Sequence, residues 1–426
     1  MGSSRAYFAD CLATVSYPAQ VNSLSGVLCR QQQYRLLIGT DLITCFRVFG
    51  GCTRCSDSFR LMPTSAFASL LIAFVAAAGA VPLLRDLLRG RPALRSAGGW
   101  AMSLGVLVAA FYSDPWPVSD HGLVFGAVSL LAAGLWFDHR QQPSVGAGVG
   151  ARRVFEILGS LVAAIFLFGY LDHDRVTWSV GFMMLAAVSL ILPVATAALA
   201  RLPTSTPALP AFMVLVQLLL LLAFGALNAA GGSRYSLYGE FAIVAVPVIG
   251  ALMGCLIYLS SMPWRPQAGI AIGAGGLLAL GLLVSWGILR LGSITAEVLG
   301  GTTALLWLVA VPILELMREW LLVRGLAWLV DARWLQRPAW AGIRRALPAL
   351  CRTHYSPAAL VIVQVLFGLS GIALCALQAS GYLMTLLLLL LAVAYMALPV
   401  LVSQARPSSS NRLLQGMFPR HGGDRV

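Results

Sequence analysis

Eleven apolar runs follow one another between residues 64 and 403, near 64 to 84, 97 to 113, 121 to 137, 154 to 171, 177 to 199, 208 to 228, 240 to 260, 268 to 290, 296 to 317, 357 to 378 and 381 to 403. A helix needs roughly 20 apolar residues to cross a hydrocarbon layer of about 30 Å, and the second and third runs are the shortest for that task. In lipid a spanning segment must satisfy its backbone amides internally, so such runs fold as helices. With 59% hydrophobic and 11% charged residues over 426 positions, the chain cannot enclose this surface in one soluble core. The expected fold class is an all-α polytopic membrane protein with about 11 transmembrane helices.

Charge is read by position. All 29 basic residues are arginine, and the formal net charge of +13 is spread over loops. It is not gathered into a nucleic-acid footprint, so no nucleic-acid partner is expected. Arg85, Arg89, Arg91 and Arg95 follow the first run, Arg140, Arg152 and Arg153 the third, Arg201 the fifth, and seven arginines occupy 318 to 356. The intervening loops are acidic or nearly neutral. Arginine-rich short loops stay on the cytoplasmic side, which predicts a basic cytoplasmic loop at 318–356 and a basic cytoplasmic tail at 404–426. Residues 1–61 hold five of the eight cysteines and no apolar run long enough to span, and Met62 stands just ahead of the first run. They are expected to be a disordered extension or translated upstream sequence, with the transmembrane bundle occupying 62–403. Cys52-x-x-Cys55 is half of a zinc or redox motif, and no second pair completes it.

Several local patterns follow this topology in order. The first run ends in PLLR (Pro82 to Arg85), and the second opens in RSAGGWAM (Arg95 to Met102). The third ends in GLWFD (Gly134 to Asp138), the ninth carries VPILELMREWLLVRG (Val311 to Gly325), and THYSPAALVIVQ (Thr353 to Gln364) follows the ninth loop. The set resembles the polyprenyl-phosphate N-acetylhexosamine-1-phosphate transferases, bacterial glycosyltransferase family 4, whose corresponding stretches read TPLVRR, PRGGGLAI, GLLDD, IPLLDTLxxxxRRLxxG and LSHRQAVLLLY. The resemblance covers roughly Met62 to Ser403. It implies a multi-pass protein of the bacterial inner membrane that transfers a sugar phosphate from a UDP-sugar to undecaprenyl phosphate in envelope polysaccharide synthesis of the O-antigen or lipopolysaccharide type. Such chemistry needs Mg²⁺ held by carboxylates beside a pyrophosphate. The family supplies an aspartate pair after helix 3, an NAFNLIDGLDG loop after helix 5, a GDAGS turn at the start of helix 8 and an HLHH group in the ninth loop.

At each of these places the chain departs from the pattern. Phe137 replaces one aspartate and leaves Asp138. The loop after the fifth run, TAALARLPTST (Thr196 to Thr206), has no Asn or Asp. Ala274 stands in IGAGGL where the acid belongs, and GIRR (Gly342 to Arg345) replaces the histidines. A hard cation that wants six oxygen ligands is left with one plausible acid, so loss of the metal-dependent reaction is expected and no metal ligand is assigned.

The candidate catalytic residues are Asp138, as a remnant, and Glu315. An ordinary interfacial acid is the structural alternative for Asp138, and pairing with Arg318 for Glu315. Glu156 is expected to pair with Arg152 or Arg153. Arg333, Arg337, Arg344 and Arg345, interleaved with Trp328, Trp334 and Trp340, suit a lipid phosphate or anionic headgroups. Gly273, Gly275 and Gly276 are read as tight helix packing, not as a phosphate cradle. Three functions stay open: a catalytically impaired relative of the transferases that binds undecaprenyl phosphate, an active transferase using Mg²⁺ in a rebuilt site, and a polysaccharide polymerase, flippase or transporter.

Overall fold

A computed structural model of the chain describes residues 53–87, 97–112, 121–140, 148–169, 180–202, 206–229, 235–260, 270–295, 300–320 and 355–405. The chain divides into two compact units, Met1–Pro63 and Thr64–Val426. Among the described residues the helices are α1 (Thr53–Leu87), α2 (Ala97–Tyr112), α3 (His121–Arg140), α4 (Gly148–Gly169), α5 (Val180–Leu199), α6 (Leu209–Ala229), α7 (Tyr235–Leu259), α8 (Gly273–Thr295), α9 (Gly301–Leu308), α10 (Ala310–Trp320), α11 (Pro357–Ala376) and α12 (Gly381–Ala405). No strand occurs among the described residues, and the protein is an all-helical, polytopic membrane protein.

Among the described residues six helices are long and apolar enough to cross a membrane, and a seventh span forms if the bent pair α9–α10 is counted as one. Shorter apolar helices cover Ala97–Phe111, Val154–Leu167 and Gly381–Ala397. Each of the eleven apolar runs carries helix, the ninth as two pieces. α1 starts ahead of its apolar run, because apolarity marks the part of a helix that lipid can surround and not its full length. The expected 1–61 extension is described only from Thr53. The ninth loop is described only at its edges, so Arg333, Arg337, Arg344 and Arg345 lie outside the described residues, as does the tail beyond Ala405.

Helix α8 is the axis of the bundle. Its spanning stretch is 89% buried, against 28% for that of α1, and it packs against α2 to α7 and α9. Lipid is as apolar as leucine, so burial alone cannot assemble such a bundle; close backbone approach and interhelical hydrogen bonds do. The α8 sequence GAGGLLALGLLVSWGIL supplies the small side chains. A Cβ on Gly275 would stand 2.7 Å from the Gly134 Cα in α3, and one on Gly276 would stand 3.2 Å from the Gly99 Cα in α2. The expectation of tight packing at Gly275 and Gly276 is met. Gly273 has φ 78°, a left-handed conformation open to glycine without a Cβ clash.

Proline lies inside α5 at Pro193, inside α7 at Pro247 and inside α10 at Pro312. Pro193 in α5 has no N–H to offer the Ser189 carbonyl one turn back, and the Ser285 hydroxyl of α8 donates to that carbonyl at 2.8 Å. Pro312 likewise leaves the Leu308 carbonyl without its helical donor, and Gln364 Nε2 of α11 donates there. Both freed carbonyls thus find a donor on a neighbouring helix; α5 stays one helix, whereas α9 and α10 meet at 60°.

Candidate functional site

The register of the packing places one set of helix ends together. Gly281 of α8 abuts Pro193 and Thr196 of α5, while Gly292 abuts Leu185, so the two helices run antiparallel and the end of α5 lies by the start of α8. The Gly98 N–H donates to the Ala271 carbonyl at 3.0 Å, bringing the start of α2 to the same place, and Gly134 brings the last turns of α3. Three stretches thus meet at one end of the bundle: GLWFD, the loop after α5, and the IGAGGL turn. Asp138 lies in the last turn of α3, and its side chain is outside the described residues. Ala274 is buried. Among the described residues no three His, Cys, Asp or Glu side chains group as metal ligands, and the first turn of α8 offers Mg²⁺ only alanine and glycine. These residues do not fit a hard, six-coordinate cation.

Two polar clusters sit at this end. In the first, Arg201, just past α5, reaches two carboxylates at once. Its Nη1 pairs with Glu156 Oε2 of α4, and its Nη2 lies 3.1 Å from Glu319 Oε2 of α10. Glu156 is fully buried, a position a carboxylate keeps only when a partner holds it. The side chains of Arg152 and Arg153, its expected partners, lie outside the described residues.

This cluster closes one end of a groove of about 500 Å³ between α4, α5 and α10. Its walls are Ile157 and Ser160 of α4, Leu190, Ile191 and Val194 of α5, and Leu316, Met317 and Trp320 of α10. Ile157, Ile191, Met317 and Trp320 are all exposed, so the groove opens toward the surroundings of the bundle along an apolar face. The Ser160 hydroxyl donates to the Leu190 carbonyl, which spends its one polar group on the backbone.

The second cluster ties α10 to α11 and α12. Glu315 is 2% and Arg318 3% exposed. The Tyr395 hydroxyl donates to Glu315 Oε1, and Arg318 Nη1 lies 3.4 Å from the same oxygen, the i,i+3 pairing expected from sequence. Tyr355, ahead of α11, donates to the Tyr395 carbonyl at 2.7 Å, and the Arg318 guanidinium stands 5.5 Å from the centre of the Tyr355 ring. Burial pushes the Tyr355 hydroxyl up to about 12, although neighbouring Arg318 pulls the other way. It therefore stays a donor at any working pH. Glu315 does not line the groove; its neighbours on α10, Leu316, Met317 and Glu319, do.

Tyr395→Phe removes the hydroxyl from a buried carboxylate and is expected to cost about 1.5–3 kcal/mol, the range for hydrogen bonds to charged groups. Tyr355→Phe removes a neutral bond and is expected to cost about 0.5–1.5 kcal/mol. Thermal unfolding of the two variants in one detergent compares them, and equal losses would contradict this ordering.

Sequence reasoning did not single out Arg201 or Glu319 as a pair of partners. Arg201 read as one more positive-inside charge, and only its isolation in an otherwise uncharged loop marked it. No signal pointed to Tyr395 or Gln364, which matter through contacts with distant segments. Compared with models of known protein families the chain matches none, and a comparison with curated proteins finds no match of significance.

Proposed function

We propose that the chain is a divergent relative of the UDP-N-acetylhexosamine:undecaprenyl-phosphate sugar-1-phosphate transferases, with eleven spans in the inner membrane, that binds a polyprenyl phosphate and has lost the metal-dependent transfer. The observation that carries this reading is the groove. It is apolar along its length, open to the membrane side of the bundle, and polar at one end, the form a long prenyl chain with a charged head requires. The convergence of the ends of α3 and α5 with the start of α8 supports it, because the resemblance sets its reaction centre there. Ala274 and the acid-free loop after α5 remove the oxygen ligands that Mg²⁺ would need. The arginines at 333, 337, 344 and 345 lie in the loop that follows α10 in sequence and are the proposed holders of the phosphate.

Two measurements on the purified full chain test this. With UDP-N-acetylhexosamine, undecaprenyl phosphate and Mg²⁺, UMP release is expected to stay at background; clear Mg²⁺-dependent release means an active, rebuilt site. A photoreactive polyprenyl phosphate is expected to label peptides of α4, α5 or α10 in competition with unlabelled undecaprenyl phosphate. Labelling that spares all three helices removes the lipid reading. The break in the ninth span favours a second reading, a transporter or flippase, since discontinuous helices accompany such activity. Transbilayer movement of a labelled polyprenyl phosphate in proteoliposomes separates the two.

A further inference from the structure

A glutamine fully buried among apolar side chains is costly unless its amide has a task, and Gln364 is such a residue. It stands on the α11 face that also carries Leu360 and Phe367, which pack with Trp307, Ala310, Val311 and Leu314 around the break. Its Nε2 donates to the Leu308 carbonyl, the one that Pro312 leaves without a helical donor. Val309, between the two pieces, has φ −121° and ψ 9°, so the chain turns there and α10 departs from α9 at 60°. That departure sets Leu316, Met317, Glu319 and Trp320 opposite α4 and α5. A straight continuation would carry them elsewhere: Met317 is eight residues beyond the turn, roughly 12 Å along a helix, and removing a 60° bend displaces it by about the same distance.

We propose that Gln364 is a positioning residue for the groove. By holding the carbonyl that proline frees, it fixes the angle of α10 and so the third wall of the groove. Pro193 and Pro247 each sit inside a helix that stays whole, so a proline by itself does not set a 60° bend. The geometric inference stands without the lipid reading; its consequence for binding rests on that reading.

The test uses nitroxide labels at Ile157 and Met317, which line the groove from α4 and α10 and are both exposed, in the full chain with its cysteines replaced by serine. Gln364→Met keeps the size of the side chain and removes the donor. It is expected to lower the melting temperature and to broaden and shift the distance distribution by several ångströms. Pro312→Ala added to it returns an N–H to the Leu308 carbonyl. The double variant is expected to regain thermal stability while its distance moves further from the parent value, toward a straight span, with loss of polyprenyl-phosphate photolabelling. Displaced labels in Gln364→Met, with Pro312 still in place, are what a merely stabilising glutamine would not give. Unchanged distances in Gln364→Met, or a double variant that recovers both stability and the parent distance, overturn the proposal. A parent protein that shows the expected distances but takes no photolabel removes the lipid reading and leaves the positioning role intact.

Discussion

Gly275→Val is expected to prevent recovery of a monodisperse, folded protein, and Gly275→Ala to lower its melting temperature sharply. A Cβ on Gly275 would lie 2.5 Å from the Leu130 carbonyl oxygen and 2.7 Å from the Gly134 Cα. Both are backbone atoms of α3, so no rotamer change relieves the clash and the two helices must separate. Overpacking in a well-packed core costs about 1–3 kcal/mol, occasionally more; a branched side chain driven into backbone belongs at or above the upper end. The effect reaches further than the contact, because α8 is also the surface for α2, α4, α5, α6, α7 and α9. Gly79 is the matched control: nothing lies within 4 Å of its Cβ position, and Gly79→Ala in α1 is expected to be neutral or slightly stabilising. An unchanged melting curve for Gly275→Ala, beside the same curve for Gly79→Ala, would show that α3 and α8 do not meet on bare backbone.

The helices were legible in the sequence because the apolar runs carry them directly. The number of runs that cross was less so, since α2 and the apolar parts of α4 and α12 fall short of a full span, and composition alone does not say how a short apolar helix sits. The bend in the ninth span was half legible. Pro312 is visible in VPILELMREW, but Pro193 sits in an equally apolar run that stays whole. The side chains that answer the freed carbonyls, Gln364 and Ser285, come from helices distant in sequence, and Pro247 also sits in a helix that stays whole, so nothing local marks which run bends. Asp138 drew attention because it interrupts an apolar run beside an aromatic residue. The structure shows the company of that run more than its acid: Gly134, one turn earlier, makes the backbone crossing with α8. Glu315 was legible as an ion-paired residue through its spacing from Arg318, whereas Tyr395, its hydrogen-bond donor, lies 80 positions away in a leucine-rich run with nothing local to mark it.

Arg201→Met is expected to destabilise the protein by about 3 kcal/mol or more and to collapse or widen the groove. Removing one partner from a buried ion pair costs about 3–5 kcal/mol because the charge left behind has no replacement for water. Glu156 is fully buried, which places its share of the loss in that range; Glu319 and Arg201 are partly exposed, and solvent reduces theirs. The arginine also joins three helices, since Nη1 holds α4 and Nη2 holds α10 from the end of α5. A lysine has one compact ammonium in place of a planar fork and cannot reproduce two such bonds from separate nitrogens, so Arg201→Lys is expected to fall well short of the parent in thermal unfolding. Glu156→Gln added to Arg201→Met removes the buried charge that Arg201 balanced and is expected to recover part of the loss, giving a non-additive cycle. Stability and groove separate at this point: the double variant keeps α4 packed but has lost the bridge to Glu319, so photolabelling by a polyprenyl phosphate is expected to remain low. A cycle whose energies simply add would mean that Arg201 and Glu156 do not depend on each other, and the polar end of the groove would then need another explanation.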